Sequence, residues 1–132
     1  MDRDRFEQGL KVRSEVLGTD YVARSLDGAD EFNRPLQQLI TEYCWGEVWS
    51  RPGLSRQTRS LINIAMLSAL NRPNELRIHL RGALNNGCTP EEIQEVLLQA
   101  AIYCGAPAGV EGFRIASEVL RERNPEAGAP AP

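Results

Sequence analysis

Apolar residues recur at intervals of three and four along nearly the whole chain, and no stretch alternates as a half-buried strand would. The central stretch, residues 61–70, is apolar almost all the way round and is broken only by Asn63 and Ser68. Such a pattern predicts a helix enclosed by other helices or by other subunits. The next stretch, residues 73–86, is amphipathic. Leu76, Leu80, Ala83 and Leu84 form its apolar face, Glu75, His79 and Asn86 border that face, and Arg77 and Arg81 point elsewhere.

Upstream, Phe6, Leu10 and Leu17 share one helical face with Val16 beside them, and Arg13 interrupts it. Gly18 supplies a left-handed stop, and Thr19–Asp20 can cap a short helix to Leu26. Asp30 can cap the next helix, whose stripe is Phe32, Leu36, Leu39, Ile40 and Tyr43. Residues 44–54, with two glycines and a proline, predict an irregular connection, although it carries both tryptophans of the chain.

Ser55 is the expected N-cap of the central helix, and Asn71 the cap of the one that Pro73 opens. Asn85-Asn86-Gly87 closes that helix. Thr89-Pro90-Glu91-Glu92 then reads as a capping box with proline in the first turn. Ile93, Val96, Leu97, Ala100 and Ala101 follow, until Gly105 and Pro107 end the helix. A last helix is expected over residues 110–123, and a disordered tail, rich in proline and alanine, over 124–132. The reading is all-α: one helical domain over residues 1–123, of about six or seven helices.

Composition narrows the possibilities. With 132 residues, 42% hydrophobic and 25% charged, the chain has ordinary globular character. A net charge of −3 with no basic block argues against nucleic acid. The first residues lack the apolar run of a signal peptide, and no apolar stretch is long enough to span a bilayer, so a cytoplasmic location with no membrane partner is expected. Cys44, Cys88 and Cys104 are odd in number and lack CxxC spacing, which disfavours a disulfide framework or a thiol-redox centre. A single histidine rules out a multi-histidine metal site within one chain.

Few side chains can carry chemistry. His79 reads either as a packed, hydrogen-bonded core residue or as an acid–base group. Glu75, one turn earlier, can orient its imidazole and keep its pKa near neutral. Arg56, Arg59 and Asn63 share a face at the start of the central helix, where they either hold an anion or pair with acidic residues of another helix. Glu47 sits between Trp45 and Trp49. Held against indoles it would resist ionisation and serve as an acid or base; otherwise it is a helix-end glutamate facing water. Arg51 is a loop cation able to clamp a carboxylate bidentately. Cys104, next to Tyr103 at a helix end, reads as a buried and inert thiol.

Several motifs together resemble the carboxymuconolactone decarboxylase family: Trp45-Gly-Glu-Val-Trp49-Ser-Arg-Pro-Gly-Leu54, Arg59-Ser-Leu, Asn71-Arg, Glu75-Leu-Arg-Ile-His79-Leu-Arg81, Asn85-Asn86-Gly87 and Ile102-Tyr-Cys-Gly-Ala-Pro107. The resemblance runs from the first helix to about Arg121. It implies the all-helical, alkylhydroperoxidase D-like fold and a ring-like homo-oligomer, a trimer or hexamer, with no metal and no organic cofactor. It also implies decarboxylation of 4-carboxymuconolactone to 3-oxoadipate enol-lactone, in the protocatechuate branch of aromatic catabolism. Peroxidase members of the wider superfamily carry CxxCxxxH. Aligning that histidine on His79 places Arg72 and Glu75 where the cysteines would stand, so the redox chemistry is not implied.

The substrate so implied is an unsaturated lactone with two carboxylates, which is its own electron sink. It needs cations, a dry wall and one acid. Arg51 and Arg59 suit the clamp, Trp45 and Trp49 the wall, and His79, oriented by Glu75 and with Glu47 in reserve, the acid. The competing readings are a thiol peroxidase of the same superfamily and a non-catalytic helical oligomer that binds a small carboxylate.

Overall fold

Asp2 opens the first helix by accepting a hydrogen bond from the Arg5 amide, at 3.0 Å. In the computed structural model, which describes residues 1–125, seven α-helices and one π-helical segment follow one another, with no strand among the described residues. The helices are α1 (Arg3–Leu17), α2 (Thr19–Asp27), α3 (Arg34–Leu39), α4 (Arg56–Ala69), α5 (Pro73–Asn85), α6 (Pro90–Cys104) and α7 (Ala106–Arg123). The π-helical segment, Ile40–Val48, continues directly from α3. The all-α expectation holds. Most of the tail expected to be disordered, residues 126–132, lies outside the described residues. No described helix is long and apolar enough to cross a membrane. The chain divides into two compact units, one of residues 1–56 and one beginning at Gln57.

In the first unit α1 buries a different face from the expected one. Gly9, Val12, Arg13 and Val16 point inward at i, i+3, i+4 and i+7, while Phe6, Leu10 and Leu17 are only partly buried. The reason is close approach. A Cβ on Gly9 would collide with the Thr41 carbonyl, and one on Gly46 with the Arg5 carbonyl, so the two glycines set where α1 crosses the π-helical segment. Arg13, expected to interrupt the apolar face, is part of the buried one at 5% exposure. Its guanidinium donates to Gln37 Oε1 at 3.0 Å and Thr41 Oγ1 at 3.2 Å, and burial lowers its pKa. The Asp2 amide donates to Glu42 Oε1 at 2.9 Å, tying the start of α1 to the π-helical segment.

Residues 44–48 are therefore π-helical rather than irregular. The Trp49 amide donates to the Cys44 carbonyl, five residues back, at 2.9 Å. Two other local expectations fail. Gly18, at φ +97°, stands before α2, and no side chain caps that helix. Asp30 accepts from the Asn33 amide at 3.0 Å within a turn, while α3 itself has no side-chain cap. The stripe expected on α3 is largely exposed, with Phe32 at 93%.

The second unit packs Ile64 of α4, Leu76, Leu80 and Ala83 of α5, Ile93 and Leu97 of α6, and Ile115, Ala116 and Val119 of α7 into one core. Asn71 is not an N-cap. It adopts φ +57° and ends α4 in a Schellman motif, with Arg72 N donating to Leu67 O at 3.0 Å and Asn71 N to Ser68 O at 3.3 Å. Arg72 then stands before α5 without a side-chain cap. The capping box at Thr89 and Glu92 is present as expected. Helix α7 begins at Ala106, four residues earlier than expected, with Pro107 inside its first turn. That proline's missing amide costs nothing there, so it starts this helix rather than merely ending the last one.

Candidate active site

The second unit holds His79, Glu75 and Arg59. The Schellman turn at Asn71 brings α5 back beside α4, where the Asn86 amide donates to the buried Ser60 hydroxyl at 2.9 Å. Between that contact and the turn, Asn63 Nδ2 of α4 meets His79 Nδ1 of α5 at 3.3 Å. His79 is half-buried, and desolvation pushes its pKa down from 6.5 to about 4. Glu75, exposed one turn earlier, pulls in the opposite direction and loses. The sequence reading placed this pKa near neutral; the surroundings that α4 and α5 create keep the imidazole uncharged at pH 7 instead.

Arg59 lies one turn before Asn63 on α4 and is half-buried. Arg56, its expected companion, is engaged elsewhere: its Nη1 donates to Glu15 Oε2 at 2.7 Å, within the first unit. The alternative of pairing with an acid on another helix therefore holds for Arg56. Arg77 and Arg81 do point away from His79, toward Glu118 at 2.5 Å and Glu122 at 3.0 Å on α7.

The first unit holds the other four candidates. Trp45 and Trp49 stack with ring centroids 4.6 Å apart and an interplanar angle of 25°, and pack with Val12 and Val16 in the core. The Ser50 hydroxyl donates to the Trp45 carbonyl at 2.8 Å, satisfying a group near the end of the π-helical segment. Glu47 is not desolvated against the indoles. Its side chain is 45% exposed and lies 3.6 Å from both Arg5 Nε and Arg51 Nη1. The water-facing reading of this glutamate is the one that holds. Arg51 is exposed, as a loop cation should be.

The cysteines are all free. Cys88 is buried, with its thiol donating to the Gln57 carbonyl at 3.5 Å and its pKa raised by burial. Cys104, expected to be buried, is exposed and lines an apolar groove of about 350 Å³ between α4 and α6 with Leu61, Ile62, Ala65 and Tyr103. That groove includes none of the residues singled out for catalysis or substrate binding.

The sequence reading missed Asn63 as the partner of His79. It grouped Asn63 with the arginines by helical spacing, and a contact sixteen residues away in sequence leaves no periodic signal. Arg13 was missed for a related reason, since its acceptors belong to other helices.

Residues 34–118 match the carboxymuconolactone decarboxylase family. The chain is 50% identical to the 4-carboxymuconolactone decarboxylase of Acinetobacter baylyi over 121 residues, covering 92% of this chain and 90% of that protein. It is 44% identical to the nitrosuccinic acid decarboxylase of Metarhizium robertsii over 122 residues, covering 92% and 85%. A 4-carboxymuconolactone decarboxylase sequence from Pseudomonas putida is 35% identical over 46 residues, covering 35% of this chain and 96% of that one. With a family match over 85 consecutive residues and similarity along almost the whole length, the helical chain built around His79 belongs to the carboxymuconolactone decarboxylase family.

Proposed function

We propose that the protein is a carboxy-lyase that converts 4-carboxymuconolactone to 3-oxoadipate enol-lactone in protocatechuate catabolism, without metal or organic cofactor. The observation that carries this reading is the 50% identity, over 92% of the chain, to the Acinetobacter decarboxylase. The bond to the ring carboxylate breaks and carbon dioxide leaves. Its electron pair passes through the ring double bond into the lactone carbonyl, forming a dienolate. A proton then adds to the carbon beside that carbonyl.

In the free protein His79 is neutral at pH 7. A neutral imidazole is too weak an acid to protonate carbon, so the acid is the imidazolium. The substrate supplies the reason for it to form: two carboxylates near a desolvated imidazole favour its charged state. His79 therefore takes up a proton as the dianion binds and passes it to carbon after carbon dioxide has gone. Glu75 adds to the same field, and Arg59, on the face of α4 that carries Asn63, holds a carboxylate.

The first unit offers a second possible anchor. Arg51 could clamp a carboxylate, with Trp45 and Trp49 as its apolar wall and Glu47 as the reserve acid. Arg59→Lys and Arg51→Lys, measured separately, decide between the anchors. Each substitution keeps the charge and loses the planar fork, so only the one that holds substrate raises KM. Unchanged kinetics in both variants would remove both arginines from the clamp.

The proposal includes a closed homo-oligomer, a trimer or hexamer. Its support is the exposed apolar surface of the second unit: Ile62 and Met66 on α4, Leu70 just after it, and Ile102 and Tyr103 at 82% and 83% on α6. Native mass spectrometry should find no monomer at micromolar concentration. It also includes a cytoplasmic setting, in keeping with three free cysteines.

The direct test follows ultraviolet absorbance of 4-carboxymuconolactone with purified protein. Nitrosuccinic acid is the competing substrate, because the Metarhizium decarboxylase is 44% identical. Release of carbon dioxide from nitrosuccinic acid but not from the lactone would transfer the assignment to that substrate, and release from neither would end it.

A further inference from the structure

The imidazole of His79 is the only one in the chain, and a side-chain amide meets it edge on. Asn63 Nδ2 lies 3.3 Å from Nδ1, across the α4–α5 contact. A carboxamide can offer either of two faces to a ring nitrogen. Its N–H donates to an unprotonated nitrogen, whereas its oxygen accepts from a protonated one. With Nδ2 turned toward the ring, Nδ1 is the acceptor and the proton sits on Nε2. Imidazolium formation puts a hydrogen on Nδ1 as well, and two N–H groups then face each other until the amide turns over.

We infer that Asn63 is the positioning residue of His79, its amide N–H holding the imidazole as the Nε2–H tautomer in the free protein and its amide oxygen receiving Nδ1–H once the imidazolium forms. This deepens the proposed function, and rests on it for its catalytic consequence only. The arrangement puts the resting proton on Nε2. It also gives the histidine a neutral resting state that a dianion can overturn.

Charged groups on both helices bear on this pair. On α5, Glu75 acts on the imidazole from one turn back and favours its protonation. Arg77 and Arg81, on the same helix, are paired with Glu118 and Glu122 of α7. On α4, Arg59 stands one turn before Asn63. Burial opposes the imidazolium and Glu75 favours it, but neither distinguishes one ring nitrogen from the other. A directional contact does so, and Asn63 makes one at Nδ1.

A lone histidine makes the test direct. Protein labelled with ¹⁵N at histidine gives two ring-nitrogen signals whose shifts and proton couplings report the tautomer. The wild type should show Nδ1 unprotonated and Nε2 protonated at pH 7, titrating near the low value set by burial. Nδ1–H in the wild type would overturn the inference without any variant. Asn63→Asp presents only acceptors, so it should move the proton to Nδ1 and raise the titration midpoint by roughly 1–3 units. Asn63→Leu removes the contact and should yield a mixture of tautomers. Folded Asn63→Leu protein that keeps pure Nε2–H, with an unmoved midpoint, would also overturn it.

In the decarboxylation assay, Asn63→Leu should lower kcat while KM changes little, and a pH–rate profile should move with the spectroscopic midpoint. The resonance measurement needs no substrate. Failure of the lactone assay with wild-type protein therefore sinks the functional reading alone, whereas a wrong tautomer sinks the role of Asn63 alone.

Discussion

Glu47 and His79 start from similar positions: each is an ionisable group with apolar residues close by in sequence. The two units treat them in opposite ways. In the first, the π-helical segment turns Trp45 and Trp49 into the core and leaves Glu47 half-exposed between Arg5 and Arg51. In the second, His79 lies against α4, its charge opposed by desolvation and its Nδ1 met by Asn63. Glu47 is matched by two cations and stays half-exposed, whereas burial disfavours the charged form of the imidazole. Adjacency to tryptophan in sequence therefore says little about desolvation; the direction in which the backbone turns the side chain decides it.

Substitution at the two sites should break or sharpen this contrast most strongly. His79→Gln retains size and hydrogen bonding but cannot deliver a proton, and kcat should fall by roughly 10²–10⁴-fold. Glu47→Gln should leave kcat within a few-fold of wild type in the same assay. The reverse order would move the acid to the first unit and return His79 to a structural role.

The units should also differ in what they tolerate at helix contacts. Gly9→Val drives a branched side chain into the Thr41 carbonyl, so urea denaturation should show a loss of about 1–3 kcal/mol or more. A methyl added at the exposed Gly53 meets nothing within contact distance, so Gly53→Ala should be close to neutral. Equal stability of the two variants would remove the close crossing of α1 and the π-helical segment.

The histidine leaves a signature in stability against pH. Its folded pKa, about 4, lies below the unfolded 6.5. Between those values the unfolded chain binds a proton that the folded one does not, so stability falls as pH drops from 6.5 toward 4 and levels off below. Glu111, Glu118 and Glu122, whose pKa values are lowered by hydrogen bonds from Arg114, Arg77 and Arg81, lose their contribution at lower pH, below the usual 4.5. The clean window is thus pH 6.5 to 4.5. Plots of unfolding free energy against pH for wild type and His79→Gln should differ there in slope by up to one bound proton, and parallel curves would refute the buried, neutral imidazole.

The smallest effect is expected at the thiols. Replacing Cys44, Cys88 and Cys104 by alanine should cost some stability through the buried Cys88, yet leave turnover per folded molecule nearly unchanged. Loss of turnover in well-folded protein would bring back a thiol mechanism, with the exposed Cys104 as its first suspect.

What could be read from the chain alone was local or periodic. The capping box at Thr89–Glu92 needs only residues three apart, so it was legible and is present. The apolar face of α5 repeats with the helix, and Leu76, Leu80 and Ala83 are buried as their spacing demands. That Arg77 and Arg81 lie off that face follows from the same period. Asn71 shows the limit of local reading: asparagine suits an N-cap and a left-handed C-terminal residue alike, and the backbone of the α4–α5 turn chose the second.

Tertiary structure decided the rest. A count of apolar side chains could not reveal that α1 faces inward through Gly9, because a glycine marks a contact by what it lacks. Arg13 became a core residue because Gln37 and Thr41 offer acceptors from elsewhere in the chain. The charge state of His79 depends on how much water α4 and α5 exclude and on which atom of Asn63 faces Nδ1. Periodicity records which side of a helix is buried, but solvation and hydrogen-bond direction belong to atoms that only the folded chain brings together.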